Sequence, residues 1–431
     1  MTRLPNAVGP VSNTAACLIP SLLIASATLT CACSKPVEVK GESPRVSPAG
    51  LSQAELELAV RGVNQFGLGI LRGSGERNNA FCSPITIALG LAIPYAGAKG
   101  ETATELGRAL HGSMARGAFE KAMNRLSSEL VNRNRAAVRS GDAEKKVEIH
   151  SARALWAQRG AKFEKNYLDS LSGNYGVGVR LVDFAEQPKQ TAREINDFVS
   201  DGTRGKIKEL VSADTLSPQA QLLVTSSLYL DANWKDEFSA GGTHPAKFTG
   251  LGGEPRNVNM MHRPGSYRYL ARGELQAVEL PYFGEQLSML LILPEPGRFE
   301  SVRAALAAEL IEDVRRNLRE EVLLLGLPKF ELRLGSRSLR SALESLGVRR
   351  AFEQGADFTG ITQKPLNISQ VVEQVYVAVD ERGTQAASAV ALEMAAASAP
   401  PEKVVEFNRP FFSFIVDTTG VLLFAGQVTE P

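Results

Sequence analysis

The side chains best suited to metal or acid–base chemistry in this sequence are its histidines and a close pair of cysteines. The four histidines are His111, His150, His244 and His262. None of them has the spacing of a metal-protease motif or of an i, i+4 ligand pair. Cys31 and Cys33 supply two thiols, but no further Cys or His lies nearby to complete a four-ligand zinc site. The sequence therefore predicts no metal site.

Other arrangements that could support catalysis are also incomplete. Residues 202–207 (GTRGKI) have the glycines and lysine of a phosphate-binding loop, but the spacing is short and Ile207 replaces the metal-binding hydroxyl. The G-x-S-x-G turn of many hydrolases does not occur. Glu320 and Glu321 lie in a charged stretch typical of a protein surface. Without a nucleophile, base or metal, we predict that the chain is not an enzyme and needs no cofactor.

Composition permits a large folded domain and gives no reason to expect a polyanionic partner. The chain has 431 residues, 44% of them hydrophobic, and its 48 basic and 47 acidic residues give a net charge of +1. This length fits one large domain or two to three ordinary ones. We expect no nucleic-acid partner.

The N-terminus has the pattern of an export signal. Residues 1–33 carry one charge, Arg3, and a mostly apolar run that Pro20 interrupts, so the segment is a poor membrane span. Cys33 resembles the lipidated cysteine of bacterial lipoproteins, with ordinary signal cleavage as the alternative. Three of the four cysteines lie here, which leaves Cys82 without a disulfide partner. We expect an exported protein, either extracellular, periplasmic or anchored to a membrane by lipid on Cys33.

The remaining sequence indicates a flexible tether over 34–54, rich in Pro, Ser and charge, and one α+β domain over 55–431. Ser83 and Pro84 should begin a buried helix, because the residues that follow are apolar nearly all round. Further predicted helices cover 55–71, 101–132, 190–200, 298–318 and 336–346. Predicted strands cover 147–157, 222–230, 276–281, 288–294, 322–334, 371–379 and 411–426.

The stretch Asp380–Pro401 lies between two of the strand-like segments and has an ordered pattern. Steps of two along one side pass through Thr384, Ala386, Ser388, Val390, Leu392 and Met394. As a strand, the stretch would present one graded apolar face. Its alanine content alone favours a solvent-facing helix or a loose tether instead.

Motifs on both sides of this stretch resemble the serpin family. DERGTQAA (380–387) and EFNRPF (406–411) are similar to the family's hinge and closing signature. Other serpin-like motifs occur in the family's order, namely NAFCSPITI (79–87), INDFVSDGTRGKI (195–207), Trp234, VELPY (278–282), SMLLILP (288–294) and LPKF (327–330).

The resemblance implies a single serpin domain of three β-sheets and eight or nine helices, with Asp380–Pro401 as an exposed reactive-centre loop. In serpins a target protease attacks this loop and forms an acyl-enzyme. The loop then inserts as a new strand in the largest sheet and distorts the protease before hydrolysis is complete. The chain would thus be a monomeric suicide-substrate inhibitor of serine proteases.

The resemblance also implies which loop residues act. The hinge residues are Glu381, Gly383, Thr384, Ala386 and Ala387. The family's usual spacing from Glu381 places the cleaved bond at Ala397–Ser398. Alanines at 395–397 suit the shallow pocket of an elastase-like or subtilisin-like protease, with a cysteine protease as a further candidate target, whereas trypsin-like enzymes need Arg or Lys. Cleavage after Met394 by a chymotrypsin-like enzyme is the alternative.

A gating cluster beneath the large sheet is implied as well. It comprises Ser83, Thr86, Ser226 and Glu373. Ser226 and Glu373 depart from the family, which has Asn and His at these positions. Because a buried carboxylate is costly without partners or a proton, we expect Glu373 to point to solvent. The rival to inhibition is a serpin fold used for binding or carriage, whose members typically lose the small-residue hinge that this chain keeps.

Overall fold

Nine α-helices occur among the residues that the computed structural model describes, which are 36–48, 50–73, 77–112, 114–140, 143–384 and 403–431. They are α1 (Gln53–Gly73), α2 (Pro84–Tyr95), α3 (Gly100–His111), α4 (Arg116–Asn132), α5 (Lys165–Ser170), α6 (Pro188–Gly202), α7 (Phe299–Ala305), α8 (Ala308–Asn317) and α9 (Arg340–Ser345). The predicted helix over 101–132 is two helices, because Gly112 adopts a φ of 64° and ends α3. The predictions over 298–318 and 336–346 likewise resolve into α7 with α8 and a shorter α9.

Helix α2 has the predicted cap and the predicted burial. The Ser83 side chain accepts the Thr86 N–H at 3.4 Å, and Pro84 takes the first helical position, where its missing N–H costs nothing. All 12 residues of α2 are buried, since the helix has no polar face. It therefore lies inside the domain.

The strands belong to two hydrogen-bonded networks. They are β1 (Val37–Val39), β2 (Ala80–Cys82), β3 (Arg135–Ser140), β4 (Ala143–Gln158), β5 (Val179–Val182), β6 (Leu222–Asn233), β7 (Thr243–Thr249), β8 (Pro255–Arg272), β9 (Leu275–Pro281), β10 (Leu287–Pro294), β11 (Arg319–Pro328), β12 (Phe330–Arg333), β13 (Arg337–Ser338), β14 (Ile368–Asp380), β15 (Gly383–Thr384), β16 (Val404–Glu406), β17 (Phe411–Asp417) and β18 (Leu422–Val428).

The first network is the large sheet that the site uses. Its order is β1-β5-β4-β6-β15-β14-β12, with β3 beside β4 and β13 beside β14. One face carries an apolar cluster that includes Trp156, Tyr229 and Ile195 of α6. The other face contributes to the larger core, which includes residues of α1 and α2.

The second network has two portions that share β8. The order β16-β11-β8-β9-β10-β17-β18-β2 is continuous, and β7 also pairs with β8. The first large sheet and these two portions correspond to the three predicted sheets, and the α+β prediction is confirmed. The 18-residue β8 itself was not predicted, because Pro255, Pro264 and Gly265 are residues that strands disfavour.

The predicted tether is in part an ordered edge of the large sheet. Strand β1 pairs antiparallel with β5, with Val37 opposite Leu181. Farther on, the N–H of Val46 donates to the carbonyl of Gly173 at 2.8 Å. Backbone pairing at a sheet edge needs no apolar periodicity, so the composition of 34–54 was misleading here. The prediction of a flexible tether is wrong for 36–48.

Within the residues that the structure describes, no helix is long and apolar enough to cross a membrane.

Candidate functional site

The site lies where β6 and β14 run side by side at the centre of the large sheet. The two strands pair in parallel from Ile368 opposite Leu222 to Tyr376 opposite Tyr229. Beyond Tyr229 the pairing changes, because the short strand β15 lies between them. The two strands are therefore paired directly along most of this line and are separated by β15 at one end.

Strand β15 is the beginning of the predicted loop. Gly383 and Thr384 pair antiparallel with Asp380 and Val379 of β14, and with Asn233 and Ala232 of β6. These two residues thus occupy a central strand position. The predicted hinge residues Gly383 and Thr384 are placed where a strand entering the sheet would begin.

Thr384 is held at this position by a buried aromatic pair. Its side chain is 1% exposed, and its Oγ1 lies 2.5 Å from the hydroxyl of Tyr282. The Tyr282 ring stacks on Trp234 with centroids 4.5 Å apart. Burial raises the pKa of Tyr282, so its hydroxyl keeps the proton that this hydrogen bond can use.

Gly383 is required by close backbone approach. A Cβ at this position would lie 2.0 Å from the carbonyl oxygen of Ala232 and 2.8 Å from the Cα of Asn233. No side chain can be accommodated at that distance without moving β6. The start of β15 therefore requires glycine at position 383.

The turn before β15 is fixed by polar contacts. Asp380 Oδ1 accepts the N–H groups of Arg382 and Gly383 at 2.9 and 3.2 Å. Trp234 donates its N–H to the Arg382 carbonyl at 2.8 Å and its indole N–H to the Asp380 carbonyl at 3.0 Å. Burial raises the pKa of Asp380. The turn is therefore stabilised by hydrogen bonds within itself and by hydrogen bonds from Trp234, which directly follows β6.

Glu381 anchors the same turn to the start of β7 and to the residue between β11 and β12. Its carboxylate lies 2.7 Å from Lys329 Nζ and accepts the Thr243 hydroxyl at 2.8 Å. Burial would raise the pKa of Glu381, but the hydrogen bonds from Lys329 and Thr243 outweigh it and leave the pKa below its ordinary value. Glu381 therefore keeps its charge and holds the base of the loop.

The four residues of the predicted gating cluster are brought together below β6 and β14. Ser83, Thr86, Ser226 and Glu373 are all 0% exposed. Glu373 is directly opposite Ser226 in the parallel register. The Ser226 hydroxyl, which replaces the family's Asn, makes no hydrogen bond within the described residues.

The expectation that Glu373 points to solvent is wrong. Its Oε1 accepts the backbone N–H of Ser83 at 2.7 Å, and its Oε2 lies 3.3 Å from Nη2 of Arg337. Ser83 caps α2, so the carboxylate also lies at the positive end of that helix. Burial nevertheless raises the pKa of Glu373 to about 7, against the opposing effects of Arg337 and the Ser83 N–H.

Arg337 is the functional residue that sequence reasoning missed. It lies on β13 directly opposite Glu373 of β14. Only this register brings the two side chains together, because they are 36 residues apart in sequence. Once Glu373 is placed beneath the sheet, a search for a basic residue on a neighbouring strand would have found Arg337.

The remaining predicted site residues lie outside the described residues. They are Ala386, Ala387, Ala397 and Ser398. Cys33 also lies outside them, whereas Cys82 is buried as a free thiol. No group of three or more His, Cys, Asp or Glu side chains that could hold a metal ion occurs in the described part of the chain.

Comparison with known proteins agrees with this geometry. The family model described as "Serpin (serine protease inhibitor)" matches residues 61–431. An uncharacterized serpin-like protein of Thermococcus kodakarensis is 36% identical over 387 residues, which cover 88% of each chain.

Two solved structures have the same fold. The native-state structure of tengpin, a thermophilic serpin, superposes with a TM-score of 0.81 at 23% identity, covering 92% of this chain and 100% of that one. Thyroxine-binding globulin in complex with thyroxine superposes with a TM-score of 0.76 at 23% identity, covering 86% of this chain and 99% of that one. With the family model matching most of its length, and with Gly383 and Thr384 lying between β6 and β14 of the large sheet, this chain belongs to the serpin family.

Proposed function

We propose that this serpin is an irreversible suicide-substrate inhibitor of serine proteases that traps the acyl-enzyme by inserting its loop between β6 and β14. The observation that carries the proposal is the position of Thr384. It is already paired with both neighbouring strands and buried against Tyr282. Insertion would extend a strand that has begun.

The direction of the Thr384 side chain supports the same mechanism. Because side chains alternate along a strand, every second residue after Thr384 would face the buried side of the sheet. Those residues form the apolar series that ends in Val390, Leu392 and Met394. The alternating pattern of the loop therefore matches the face on which Thr384 already lies.

The energetics favour insertion once the loop is cut. Extending β15 along the length of β6 would form roughly a dozen backbone hydrogen bonds, each worth about 0.5–1.5 kcal/mol net. Burial of Val390, Leu392 and Met394 would add about 1.5–3 kcal/mol each before the entropy of ordering is subtracted. Against this stands the loss of the parallel pairing between β6 and β14, a slightly weaker kind of ladder. The uncleaved protein is accordingly metastable.

The loop sequence sets the class of target. We infer cleavage at Ala397–Ser398 from the family's usual spacing after Glu381. Small residues at 395–397 fit the shallow pockets of elastase-like and subtilisin-like proteases. An Ala397→Arg variant should form covalent complexes with a trypsin-like protease, which the unchanged protein should not. The matched control is Ala395→Arg, which leaves the inferred bond unchanged and should not gain trypsin-like complexes.

Inhibition is tested by titrating a subtilisin-like or elastase-like protease with the protein. Protease activity should fall to zero near an equimolar ratio and stay there after dilution. Recovery of activity on dilution, or undiminished activity with a fully cleaved loop, would contradict the proposal.

The rival function is binding or carriage of a small ligand. Thyroxine-binding globulin shares the fold, and its solved structure is a complex with thyroxine. The predicted hinge favours inhibition over carriage, since Gly383 and Thr384 are small residues of the kind that insertion needs. Cleavage in the loop without any complex would favour the rival.

Export and anchoring are further proposals. Residues 1–33 carry the signal pattern, and Cys33 would be the lipidated residue. Metabolic labelling with a palmitate analogue tests the anchor. Label that a Cys33→Ser variant loses and a Cys82→Ser variant keeps supports it, whereas label in both variants or in neither protein contradicts it.

A further inference from the structure

Strand β1 brings the start of the described chain to one end of the large sheet. Val37 of β1 is directly opposite Leu181 of β5. Leu181 is opposite Ala157 of β4, which is opposite Leu222, the first residue of β6. These four residues form one row across the sheet. We call the end of the sheet at this row the β1 end.

Strand β15 lies toward the other end of β6. Thr384 pairs with Ala232, ten residues beyond Leu222. At about 3.3 Å per residue, the row of Val37 and the row of Thr384 are about 33 Å apart along β6. The described chain therefore enters the fold at the end of the large sheet that is remote from the predicted hinge.

Strand β1 and the residues directly after it are bound firmly to the domain. Glu38 accepts the N–H of Gly178 at 3.0 Å and lies 3.3 Å from Nη2 of Arg180. The Gly41 N–H donates to the Ser172 hydroxyl at 2.9 Å, and that hydroxyl donates to the Gly41 carbonyl at 3.1 Å. Together with the backbone pairing of β1, these contacts fix the start of the described chain relative to the sheet.

Only a short piece of chain separates β1 from the proposed lipid anchor. Cys33 precedes Val37 by four residues. Four residues span at most about 14 Å even when fully extended. The polar layer between the hydrocarbon and the water is about 5–8 Å thick on each side of a bilayer. A lipid on Cys33 would therefore keep the β1 end close to the membrane surface.

The exposed side chains at the β1 end suit an anionic bilayer. Arg159 and Lys162 follow β4, and Lys364 precedes β14, which begins opposite the first residue of β6. All three side chains are exposed, and the exposed carboxylate on the loop after β5 is Glu186. Val37 adds an apolar side chain that is 60% exposed. Each lysine or arginine near an anionic membrane surface contributes to attraction.

We propose that the β1 end of the large sheet faces an anionic lipid bilayer, with Arg159, Lys162 and Lys364 toward the headgroups. The inference rests on the lipid anchor on Cys33 proposed above and adds the orientation of the anchored domain. The base of the loop at Thr384 then lies about 33 Å farther from the bilayer, on the side that a protease in solution approaches.

Lysine reactivity measures this orientation. The full protein is isolated from membranes in detergent, reconstituted into phosphatidylcholine–phosphatidylglycerol vesicles and labelled with a water-soluble amine reagent before mass spectrometry. Lys162 and Lys364 should be labelled about fivefold more slowly than in a Cys33→Ser protein in the same vesicle suspension, because contact of a lysine with an anionic surface is worth about 1 kcal/mol. Lys235, which is exposed directly after Trp234 near β15, should be labelled at the same rate in both proteins.

A spacer variant is the matched control. A spacer of about twenty Gly and Ser residues between Lys35 and Pro36 lengthens the connection to the lipid by about 25 Å on average. It lies before β1 and leaves the described contacts of the domain in place. Vesicle binding should remain, but the slower labelling of Lys162 and Lys364 should be lost.

The results separate failure of the orientation from failure of the anchor. The mass of the peptide that contains Cys33 shows whether a lipid is attached. In a lipid-bearing, vesicle-bound protein, equal slowing of Lys235 and Lys162, no slowing of either, or slowing that the spacer leaves unchanged would overturn the orientation alone. An unmodified Cys33 would overturn the anchor and the orientation with it.

Discussion

The carboxylate of Glu373 lies 3.3 Å from the guanidinium of Arg337, directly below the line along which β6 and β14 pair. Glu373 belongs to β14 and Arg337 to β13, and the carboxylate also accepts the N–H of Ser83 at the start of α2. This buried pair connects β14 to β13 and to the start of α2 within the predicted gating cluster.

Replacing Glu373 by Gln should change how stability depends on pH. The pKa of Glu373 is raised from 4.5 to about 7, so its contribution to stability is fully present below pH 4.5 and is lost as the pH rises through 7. Between those limits the unfolding free energy of the protein should fall by about 3 kcal/mol relative to Glu373→Gln. Urea unfolding of both proteins at a series of pH values measures this difference.

An exposed carboxylate provides the control for that experiment. Glu254 is exposed, and Glu254→Gln should follow the pH profile of the unchanged protein. If the profiles of Glu373→Gln and the unchanged protein are parallel from pH 4 to pH 8, the pKa assigned to Glu373 is contradicted.

Replacing Arg337 by Gln should be most damaging in alkaline solution. The substitution leaves the buried Glu373 carboxylate without its cation, which costs about 3–5 kcal/mol when the carboxylate is charged. Below pH 6 Glu373 takes up a proton and the loss should be smaller. Urea unfolding at pH 8 and pH 5 checks this prediction, and an equal loss at both values would exclude the ion pair as the cause.

Replacing Thr384 by Arg should convert the inhibitor into a substrate. The position is 1% exposed and faces Tyr282, so insertion would bury a charge without a partner. We expect the yield of covalent complex to fall at least about tenfold, since a buried unpaired charge costs several kcal/mol. Gel densitometry after reaction with protease measures the yield. Thr384→Ser keeps the hydroxyl and should keep the yield, so an undiminished yield from Thr384→Arg would contradict insertion.

Replacing Gly383 by Ala should withdraw β15 from the sheet. The new Cβ would lie 2.0 Å from the Ala232 carbonyl oxygen, and relieving that clash should cost about 1–3 kcal/mol. Amide hydrogen exchange of peptides that contain residues 381–384 should become faster. Gly335→Ala is the control, because a Cβ there meets no atom within 4 Å. Unchanged exchange in Gly383→Ala would show that β15 tolerates a side chain.

Local sequence signals were sufficient for the elements with clear periodicity. The cap at Ser83 and the burial of α2 follow from residues next to each other, and both are found in the structure. Gly383 and Thr384, which the family resemblance assigns to a hinge, form strand β15 in the structure. Such features are encoded within a few residues, so they can be inferred before the fold is known.

Features that depend on contacts between distant strands were not predictable in the same way. Glu373 was expected at the surface because its partner Arg337 is contributed by the register of β13 and β14. Composition predicts a tether where strand β1 lies, because its partner β5 lies more than a hundred residues farther along the chain. In both cases the tertiary pairing supplies partners that local sequence does not reveal.

The most direct test of inhibition by loop insertion is a denaturing gel of the protein after reaction with an elastase-like or subtilisin-like serine protease, with mass spectrometry of the bands. We predict a covalent complex with the combined mass of the protease and the protein cut in its loop, together with a released peptide that begins at Ser398. A cleaved protein with no complex, or a protein left intact by both classes of protease, would contradict the account.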